Sequence, residues 1–323
     1  MQHPAEGLSV VVPVFNEEDN LDPLQTRLKT VLKTLPMPSE IIYVDDGSTD
    51  GSWKVLRRLA ATDATTAVVQ LRRNFGQASA MAAGFAHARY PIVVTLDADL
   101  QNDPADIPRL LAALDDEHDV VAGWRRLRQD AWLTRLLPSR VANWLIRAVT
   151  GVRLHDFGCT LRAYRREILS DLPLFGELHR FLPVLAAWVG GRIKEIDVTH
   201  HPRAHGVSKY GPLRTFKVIV DLITLKFLRD FSGRPNYVFG GFGLASLLLG
   251  IAAFAVVAYR VLVLQRLEAT PMVFLMVIFV LVGVLSIFMG FLAEIVIRGF
   301  HDTTLKPAYY VRQTIGFDGR DGA

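Results

Sequence analysis

The stretch Pro91-Ile-Val-Val-Thr-Leu-Asp-Ala-Asp-Leu-Gln101 decides how the first two-thirds of this chain folds. Its apolar run, residues 91–96, predicts a parallel β-strand buried on both faces. Asp97, Asp99 and Gln101 follow where that strand ends. Ligands bind at the carboxyl ends of strands in an open α/β sheet, and alternate residues of an extended chain share one face. We therefore expect these side chains to converge, and their hard oxygen ligands suit Mg²⁺ or Mn²⁺.

Predicted strands and helices alternate on both sides of this stretch. Further strands are predicted at 8–15, 40–46, 67–71 and 119–123, and helices at 16–35, 77–89 and 104–114. Short joints between alternating strands and helices are typical of a doubly wound α/β sheet. Asp-x-Asp alone fits a strand end that caps the next helix equally well. Its interpretation as a ligand site therefore depends on what the other strand ends supply.

Two other predicted strands end in polar residues that would meet the same edge of the sheet. The first ends at Pro13-Val-Phe-Asn-Glu17 and the second at Asp45-Asp-Gly-Ser48. A nucleotide lying across these ends could bond Asp46 through a ribose hydroxyl or a base N–H, while the backbone after Pro13 contacts the base. Each segment alone would be a turn or a helix cap. Together they favour nucleotide binding.

The last third of the chain contains two long segments without charged residues. Tyr237–Tyr259 and Pro271–Ala293 each run for 23 residues, and about 20 apolar residues suffice to cross a bilayer. Half of the 323 residues are hydrophobic, and the mean hydropathy is +0.25. A soluble chain of this size would have to bury both segments on all sides, so we expect two transmembrane helices.

Charge flanking these segments indicates their orientation. The polar residues 1–7 do not resemble a signal peptide, so we expect the first domain to stay in the cytoplasm. The outer flanks of the membrane segments carry Lys226, Arg229, Arg234, Arg298, Lys306 and Arg312. The positive-inside rule then places both flanks in the cytoplasm, although Arg260 and Arg266 in the connecting loop weaken the argument. The single cysteine, Cys159, excludes an intrachain disulfide and agrees with a reducing compartment.

These features divide the chain into four parts. They are a cytoplasmic catalytic domain at 1–210, a juxtamembrane amphipathic helix at 211–234, a two-helix membrane region at 235–298 and a cytoplasmic tail at 299–323. Basic helices rich in aromatic residues, predicted at 132–149 and 212–231, suit a membrane interface, although the first fits an ordinary surface helix equally well. The basic residues are scattered, which favours anionic lipid or a phosphorylated substrate over nucleic acid.

Four motifs carry a specific family resemblance: PVFNEE (13–18), VDDGSTD (44–50), RNFGQ (73–77) and DADLQ (97–101). They resemble the family 2 glycosyltransferases of the GT-A fold, and the likeness continues through residues 123–125, 156–164 and 203–210. With its two C-terminal spans, the whole chain resembles the polyprenyl-phosphate glycosyltransferases. That group includes dolichol-phosphate mannose synthases and the undecaprenyl-phosphate glucose and aminoarabinose transferases. The sequence is most similar to that of the aminoarabinose enzymes at residues 128–132, 156–159 and 162–166.

This resemblance implies a GT-A fold with a doubly wound mixed sheet, and inverting transfer of a sugar from a nucleotide-sugar to polyprenyl phosphate. It also implies a divalent metal on Asp99 and Gln101, with Asp97 supporting the metal or the nucleotide. By the same resemblance, the donor-binding residues are Pro13, Phe15, Glu17, Asp46, Asp97, Ala98, Arg203 and Lys209. Arg203 and Lys209 would close over the donor diphosphate on a mobile loop. Without the family match, that loop would be an ordinary surface segment with two cations.

Catalytic candidates on the acceptor side follow the fifth predicted strand. Arg125 and Arg128 can grip phosphate oxygens, although they also fit solvated charges or partners of Asp130. Arg162 is a weaker third candidate for the same role. Asp156 matches an acidic position that faces the acceptor in the family. It would orient or deprotonate the acceptor, or simply stabilise a turn. Asp99 completes the set of catalytic candidates through its metal.

Competing functions make different demands on the sequence. A processive polysaccharide synthase would carry a Gln-x-x-Arg-Trp motif after the acidic cluster and more spans, and the sequence has neither. A membrane-anchored partner without activity would not need the intact cluster. Among donors a UDP-sugar is favoured, while GDP-mannose stays open. Small residues four apart in the membrane segments, such as Ser246 and Gly250, permit close helix packing and hence a homo-oligomer.

Overall fold

The computed structural model describes residues 7–126, 137–170, 172, 178–202, 222, 226, 235–265, 271–302 and 309–317. The chain divides into two compact units. The first, which we call the sheet unit, comprises residues 1–221 together with 307–323. The second, the helix-pair unit, comprises residues 222–306.

Within the described residues, one mixed sheet of eight strands forms the centre of the sheet unit. The strands are β1 (Leu8–Val14), β2 (Ser39–Asp45), β3 (Thr66–Leu71), β4 (Ile92–Thr95), β5 (Val120–Trp124), β6 (Arg162–Arg165), β7 (Ile193–Asp197) and β8 (Val311–Ile315). Their order in space is β7-β5-β6-β4-β1-β2-β3-β8. Strands β4, β1, β2 and β3 are mutually parallel, whereas β6 is antiparallel to both β4 and β5. The expected mixed sheet is confirmed.

Helices connect these strands. They are α1 (Glu18–Leu32), α2 (Ser52–Thr62), α3 (Gln77–His87), α4 (Ile107–Ala113), α5 (Leu137–Thr150), α6 (Arg166–Ser170) and α7 (Leu182–Trp188). A 3₁₀ turn at Pro104–Asp106 precedes α4. The helices predicted at 16–35, 77–89 and 104–114 are confirmed with shorter ends.

The central strands are buried on both faces because helices cover them. Val10, Val11 and Val12 of β1 have no exposed surface, and burying such a side chain contributes about 1.5–3 kcal/mol. Gly84 allows α3 to pack closely on this strand, since a Cβ there would lie 2.2 Å from Val11 Cγ1. The apolar runs that predict the parallel strands are therefore the core of the sheet.

The tail predicted at 299–323 contributes a strand to the sheet. Strand β8 pairs antiparallel with β3, with Val68 opposite Ile315 and Gln70 opposite Gln313. One edge of the sheet is therefore formed by a strand that follows the apolar helices in the chain. This strand alternates apolar and polar residues only weakly, so the sequence pattern did not predict it.

The helix-pair unit contains two long apolar helices, α8 (Pro235–Leu262) and α9 (Pro271–Asp302). Both are long and apolar enough to cross a membrane, over Tyr237–Leu262 and Pro271–Ile295. Only 22% and 6% of their most apolar windows are buried, whereas the core helix of a soluble protein would be mostly buried. The two expected apolar helices are confirmed as candidate membrane spans.

Small residues line the contact between α8 and α9. A Cβ on Gly243 would lie 2.8 Å from the carbonyl oxygen of Gly283, so the backbones approach closely there. The Ser246 hydroxyl donates a hydrogen bond to the carbonyl oxygen of Phe279 at 2.8 Å. Gly250 packs against Val280 in the same contact. The Ser246–Gly250 pair therefore serves packing within the chain.

Of the two predicted basic helices, only parts fall within the described residues. α5 begins at Leu137 and ends at Thr150, and its Trp144 is 59% exposed. In the helix predicted at 212–231, Leu222 and Lys226 are helical. The rest of that helix lies outside the described residues.

Candidate functional site

The strand ends that carry the predicted motifs meet at one edge of the sheet. Val14 at the end of β1 pairs with Asp45 at the end of β2, and Thr95 at the end of β4 pairs with Val11. Strand β5 runs in the same direction as β4, because β6 is antiparallel to both. Arg125, which follows β5, therefore reaches the same edge, where open α/β sheets bind their ligands.

The acidic cluster itself is a turn and not an extended segment. β4 ends at Thr95, and Ala98 and Asp99 lie in the turn that follows. Leu100 has φ +62°, a left-handed conformation that costs of order 1 kcal/mol or more for such a residue and is common at ligand sites. The expectation that alternate positions of an extended chain align these side chains was wrong. The turn is held instead by the Gln101 N–H, which donates to Asp99 Oδ1 at 3.2 Å.

Asp97 lies among several charged neighbours. Its pKa is raised from 3.8 to about 6, first by burial and then by the Asp99 carboxylate, and Glu17 adds to the effect. Arg125 and a hydrogen bond with Thr160 oppose the rise. The edge thus concentrates negative charge in a poorly solvated place, and a bound cation would relieve it.

The donor set at this turn suits a hard divalent cation. The described residues include no group of three His, Cys, Asp or Glu residues placed to hold a metal ion. Two carboxylates, Asp97 and Asp99, with the Gln101 amide would form a partial set. Mg²⁺ and Mn²⁺ commonly use one or two carboxylates and complete their shell with substrate phosphates and water. These residues therefore fit a metal that arrives with a diphosphate.

Asp46 connects two of the strand ends. Its Oδ1 accepts a hydrogen bond from the Phe75 N–H at 2.7 Å, and its Oδ2 accepts one from the Gly76 N–H at 2.9 Å. Burial raises its pKa to about 6, against the lowering effect of these two bonds. Asp46 thus fixes the start of α3, and contact with a nucleotide remains a prediction for it.

The first and second strand ends are also tied together. The Asn16 N–H donates to Ser48 Oγ at 3.0 Å, and Asn16 Oδ1 accepts from the Thr49 N–H at 2.8 Å. Glu17 is held by its own N–H, which donates to Ser52 Oγ at 2.9 Å. These bonds fix the segment after Pro13 against the Asp-Asp-Gly-Ser turn.

Arg125 and Asp156 form a buried, two-pronged ion pair. Arg125 Nε donates to Asp156 Oδ2 at 2.7 Å, and Nη2 donates to Oδ1 at 3.0 Å. Burial acts to lower the pKa of Arg125, but the Asp156 carboxylate raises it above its usual range. Gly158 donates its N–H to Asp156 at 2.9 Å and leaves room for the guanidinium. Arg125 and Asp156, both predicted to act on the acceptor, are therefore bonded to each other.

Arg162 serves the fold. It is 2% exposed on β6, and its guanidinium donates to the carbonyl oxygens of Phe157 at 2.7 Å and His179 at 3.3 Å. These contacts give Arg162 a structural role, and its suggested role as a phosphate contact stays a prediction.

The segment after β7 runs beside the acidic turn. The His201 N–H donates to the Gln101 carbonyl oxygen at 2.8 Å, and His200 forms a bridge with Asn102. The His201 ring also contacts Asp103 at 2.9 Å. The chain that leads into residues 203–210 therefore starts next to the proposed metal ligands.

The family model described as "Glycosyl transferase family 2" matches residues 9–172, which include the ends of β1, β2, β4 and β5 described above. A curated relative from Rhizobium johnstonii is 42% identical over 95% of this chain. The chain belongs to glycosyl transferase family 2.

Relatives of this family 2 glycosyltransferase are similar along nearly its whole length. The relative from Rhizobium johnstonii, a dodecaprenyl-phosphate galacturonate synthase, is covered over 92% of its own length. An undecaprenyl-phosphate 4-deoxy-4-formamido-L-arabinose transferase from Edwardsiella ictaluri is 39% identical, with 95% of this chain and 94% of the relative covered. The resemblance to polyprenyl-phosphate glycosyltransferases is confirmed.

Solved structures support the fold of the glycosyltransferase. Glucosyl-3-phosphoglycerate synthase from Mycobacterium tuberculosis, in complex with uridine diphosphate, matches with a TM-score of 0.55 at 23% identity, covering 70% of this chain and 82% of that one. The same enzyme with Mn²⁺, uridine diphosphate and phosphoglyceric acid gives a TM-score of 0.56 at 21% identity, covering 70% of this chain and 81% of that one. The GT-A fold is therefore confirmed.

Sequence reasoning missed three polar residues of the candidate site. Gln77 Nε2 donates to Asp97 Oδ1 at 2.7 Å. Asn102 Nδ2 donates to Thr160 Oγ1 at 3.0 Å, and Thr160 in turn bonds Asp97. Gln77 and Thr160 both lie in segments that carry the family resemblance, 73–77 and 156–164, and that resemblance could have pointed to them. Three predicted site residues, Arg128, Arg203 and Lys209, lie outside the described residues.

Proposed function

We propose that this glycosyltransferase moves a sugar, with inversion, from a UDP-sugar to the phosphate of a polyprenyl lipid at the cytoplasmic face of a membrane. The observation that carries the proposal is the pair of the half-buried Asp97 and the buried Asp99 at the carboxyl edge of the parallel strands. Two relatives named for polyprenyl-phosphate sugar transfer, at 42% and 39% identity over nearly the whole chain, support the acceptor class.

A divalent cation is part of the proposal. Asp97, Asp99 and the Gln101 amide would hold it, and when bound it would neutralise the charge that grows on the departing nucleotide diphosphate. The raised pKa of Asp97 supports this assignment, because two carboxylates that repel each other favour a cation between them. Gln77 and Thr160 would keep Asp97 pointed at the site.

The chemistry exchanges one bond to the sugar for another. An acceptor phosphate oxygen attacks the anomeric carbon as the bond from that carbon to the nucleotide diphosphate breaks, so the configuration inverts. The acceptor is already an anion near neutral pH, so the protein does not need a strong general base. The rigid Arg125–Asp156 pair would position the acceptor, and Arg128 would bind its phosphate. Arg203 and Lys209 would bind the donor diphosphate.

Membrane placement follows from the order of the elements along the chain. Both α8 and α9 are candidate spans, and the sheet unit contains strands from before and after them. Two crossings return the chain to the side from which it started. The flanking Lys and Arg residues favour the cytoplasm for that side.

A donor panel tests the proposal. Full-length protein in membranes is incubated with undecaprenyl phosphate, Mn²⁺ and labelled UDP-galacturonate, UDP-formamidoarabinose, UDP-glucose or GDP-mannose. We expect acid-labile label in the organic phase with a UDP-sugar. GDP-mannose as the only productive donor would contradict the UDP assignment. Polymer in the aqueous phase would indicate a processive synthase, and no transfer from any donor would indicate a non-catalytic partner.

Two variants separate the site from the fold. Asp99→Asn should remove transfer and leave the protein folded. Asp116→Asn changes a fully exposed carboxylate whose contact is Arg165, and it should transfer as the wild type does. Wild-type transfer by Asp99→Asn would contradict the metal assignment.

A further inference from the structure

The C-terminal strand β8 contacts the segments that carry the donor motifs. It pairs with β3 along the edge of the sheet. Just beyond that pairing, the Arg72 N–H donates to the Tyr310 carbonyl oxygen at 2.9 Å. The motif 73–77 begins at the next residue. The part of the chain that follows the apolar helices therefore abuts the donor side of the site.

One route into the site runs through side-chain amides. Gln313 Nε2 donates to Gln70 Oε1 at 3.0 Å, and Gln70 Nε2 donates to Asp45 Oδ2 at 3.2 Å. The other oxygen of Asp45 accepts the Ser48 N–H at 3.0 Å. Gln70 and Asp45 are both buried. The orientation of Gln313 is thereby linked to the turn at the end of β2.

A second route runs through aromatic rings. The Tyr310 and Phe75 rings lie 6.1 Å apart, and the Arg72 guanidinium lies 5.8 Å from the Tyr310 ring. Phe75 donates its N–H to Asp46, and two residues later Gln77 donates to Asp97. The ring of Tyr310 thus packs near residues 75–77, the segment that bonds both Asp46 and Asp97.

We propose that β8 is a positioning element of the donor site, and that Gln313 and Tyr310 set the placement of residues 45–48 and 73–77. This inference rests on the proposed function, because those residues matter only if a nucleotide-sugar binds there. Neither side chain touches the reacting atoms. Their effect is on how well the donor segments are pre-ordered, and it should appear in donor binding before it appears in the chemical step.

The obvious alternative is that β8 only covers the edge of the sheet. An edge strand protects exposed backbone groups, so its loss would lower stability without a selective effect on the donor. The two cases differ in their response to single side-chain changes that leave the backbone pairing intact.

The test uses the full-length protein in detergent micelles and four variants. Gln313→Ala cuts the amide route and Tyr310→Ala cuts the aromatic route. Tyr310→Phe keeps the ring and should behave as the wild type. Thr314→Ala is the matched control, because Thr314 is exposed on the same strand, opposite Val69. UDP with Mn²⁺ is the probe for calorimetry, and hydrogen exchange is measured on peptides covering 45–48 and 73–77.

We expect Gln313→Ala and Tyr310→Ala each to weaken UDP binding about two- to tenfold, the range for loss of one neutral contact. The donor KM should rise with the acceptor KM unchanged, and exchange should quicken in the two peptides without nucleotide. An unchanged UDP affinity with only a lower Tm would overturn the inference and leave the proposed function standing. A different result would be that the wild type binds no UDP while hydrogen exchange in the two peptides still quickens in the variants. That result would overturn the proposed donor and would still support the coupling of β8 to residues 45–48 and 73–77.

Discussion

Asp99→Asn should make the metal-free protein more stable while it removes activity. The change keeps the size of the side chain and the Oδ1 that accepts the Gln101 N–H at 3.2 Å. It removes one of the two charges that raise the pKa of Asp97 from 3.8 to about 6. At neutral pH, both carboxylates of the wild type are held close together in a poorly solvated place.

The size of the effect follows from that pKa. A rise from 3.8 to about 6 corresponds to about 3 kcal/mol of stability lost when Asp97 ionises in the folded protein. Burial is the larger cause and the Asp99 charge the second, so removing that charge should restore part of the lost stability, on the order of 1 kcal/mol. For a unit of this size, that is a gain of about 2–4 °C in Tm.

The sign of the pH dependence provides an internal control. Because the folded pKa of Asp97 lies above its value in the unfolded chain, its contribution to stability is complete below about pH 4 and is lost as the pH rises through about 6. The gain from Asp99→Asn should therefore be present at pH 7 and absent at pH 4.

Thermal unfolding in detergent, with a chelator or with Mn²⁺, measures these effects. We expect Mn²⁺ to raise the Tm of the wild type and to have little effect on the variant, since a ligand stabilises the form to which it binds. A variant that is less stable than the wild type in chelator at pH 7 and still responds to Mn²⁺ would refute the reasoning.

Three further predictions concern other parts of the sheet unit. Asp156→Asn breaks a buried pair with Arg125, so it should lower the free energy of unfolding by about 3 kcal/mol. It should also depress turnover while UDP affinity is retained, and wild-type turnover would count against a role at the acceptor. Gly84→Val should destabilise the protein by at least about 2 kcal/mol, because its side chain would overlap Val11; an unchanged denaturation midpoint would contradict that packing. Arg203→Ala should weaken UDP binding in calorimetry about tenfold, as expected for a charged contact, and an unchanged dissociation constant would exclude Arg203 from the donor site.

The sequence predicted the strands β1 to β5 well because each contains an apolar run that is buried in the sheet. β6 was missed because Arg162 and Arg165 bound a strand of only four residues, and no periodicity indicates a buried arginine. β7 and β8 lie at the edges of the sheet and carry mixed polar residues. A strand with few apolar residues leaves little pattern in the sequence.

The sequence predicted where in the sheet the candidate site lies, but not the backbone conformation or the side-chain pairing within it. The sequence indicated which strand ends carry acidic residues, and the sheet topology places them at one edge. The left-handed Leu100 and the resulting turn could not be predicted, because leucine has no preference for that conformation. The pairing of Arg125 with Asp156 joins residues 31 positions apart, and only the fold brings them together.

The late position of β8 in the chain has a consequence for synthesis. Its partner β3 ends at Leu71, whereas β8 begins at Val311. Ribosomes add about 5–20 residues per second, so β3 waits roughly tens of seconds for its neighbour, and both apolar helices emerge in the meantime. If α8 and α9 enter a bilayer as they emerge, the chain is anchored before its sheet is closed, and a product terminated just after α9 would leave β3 as an open edge.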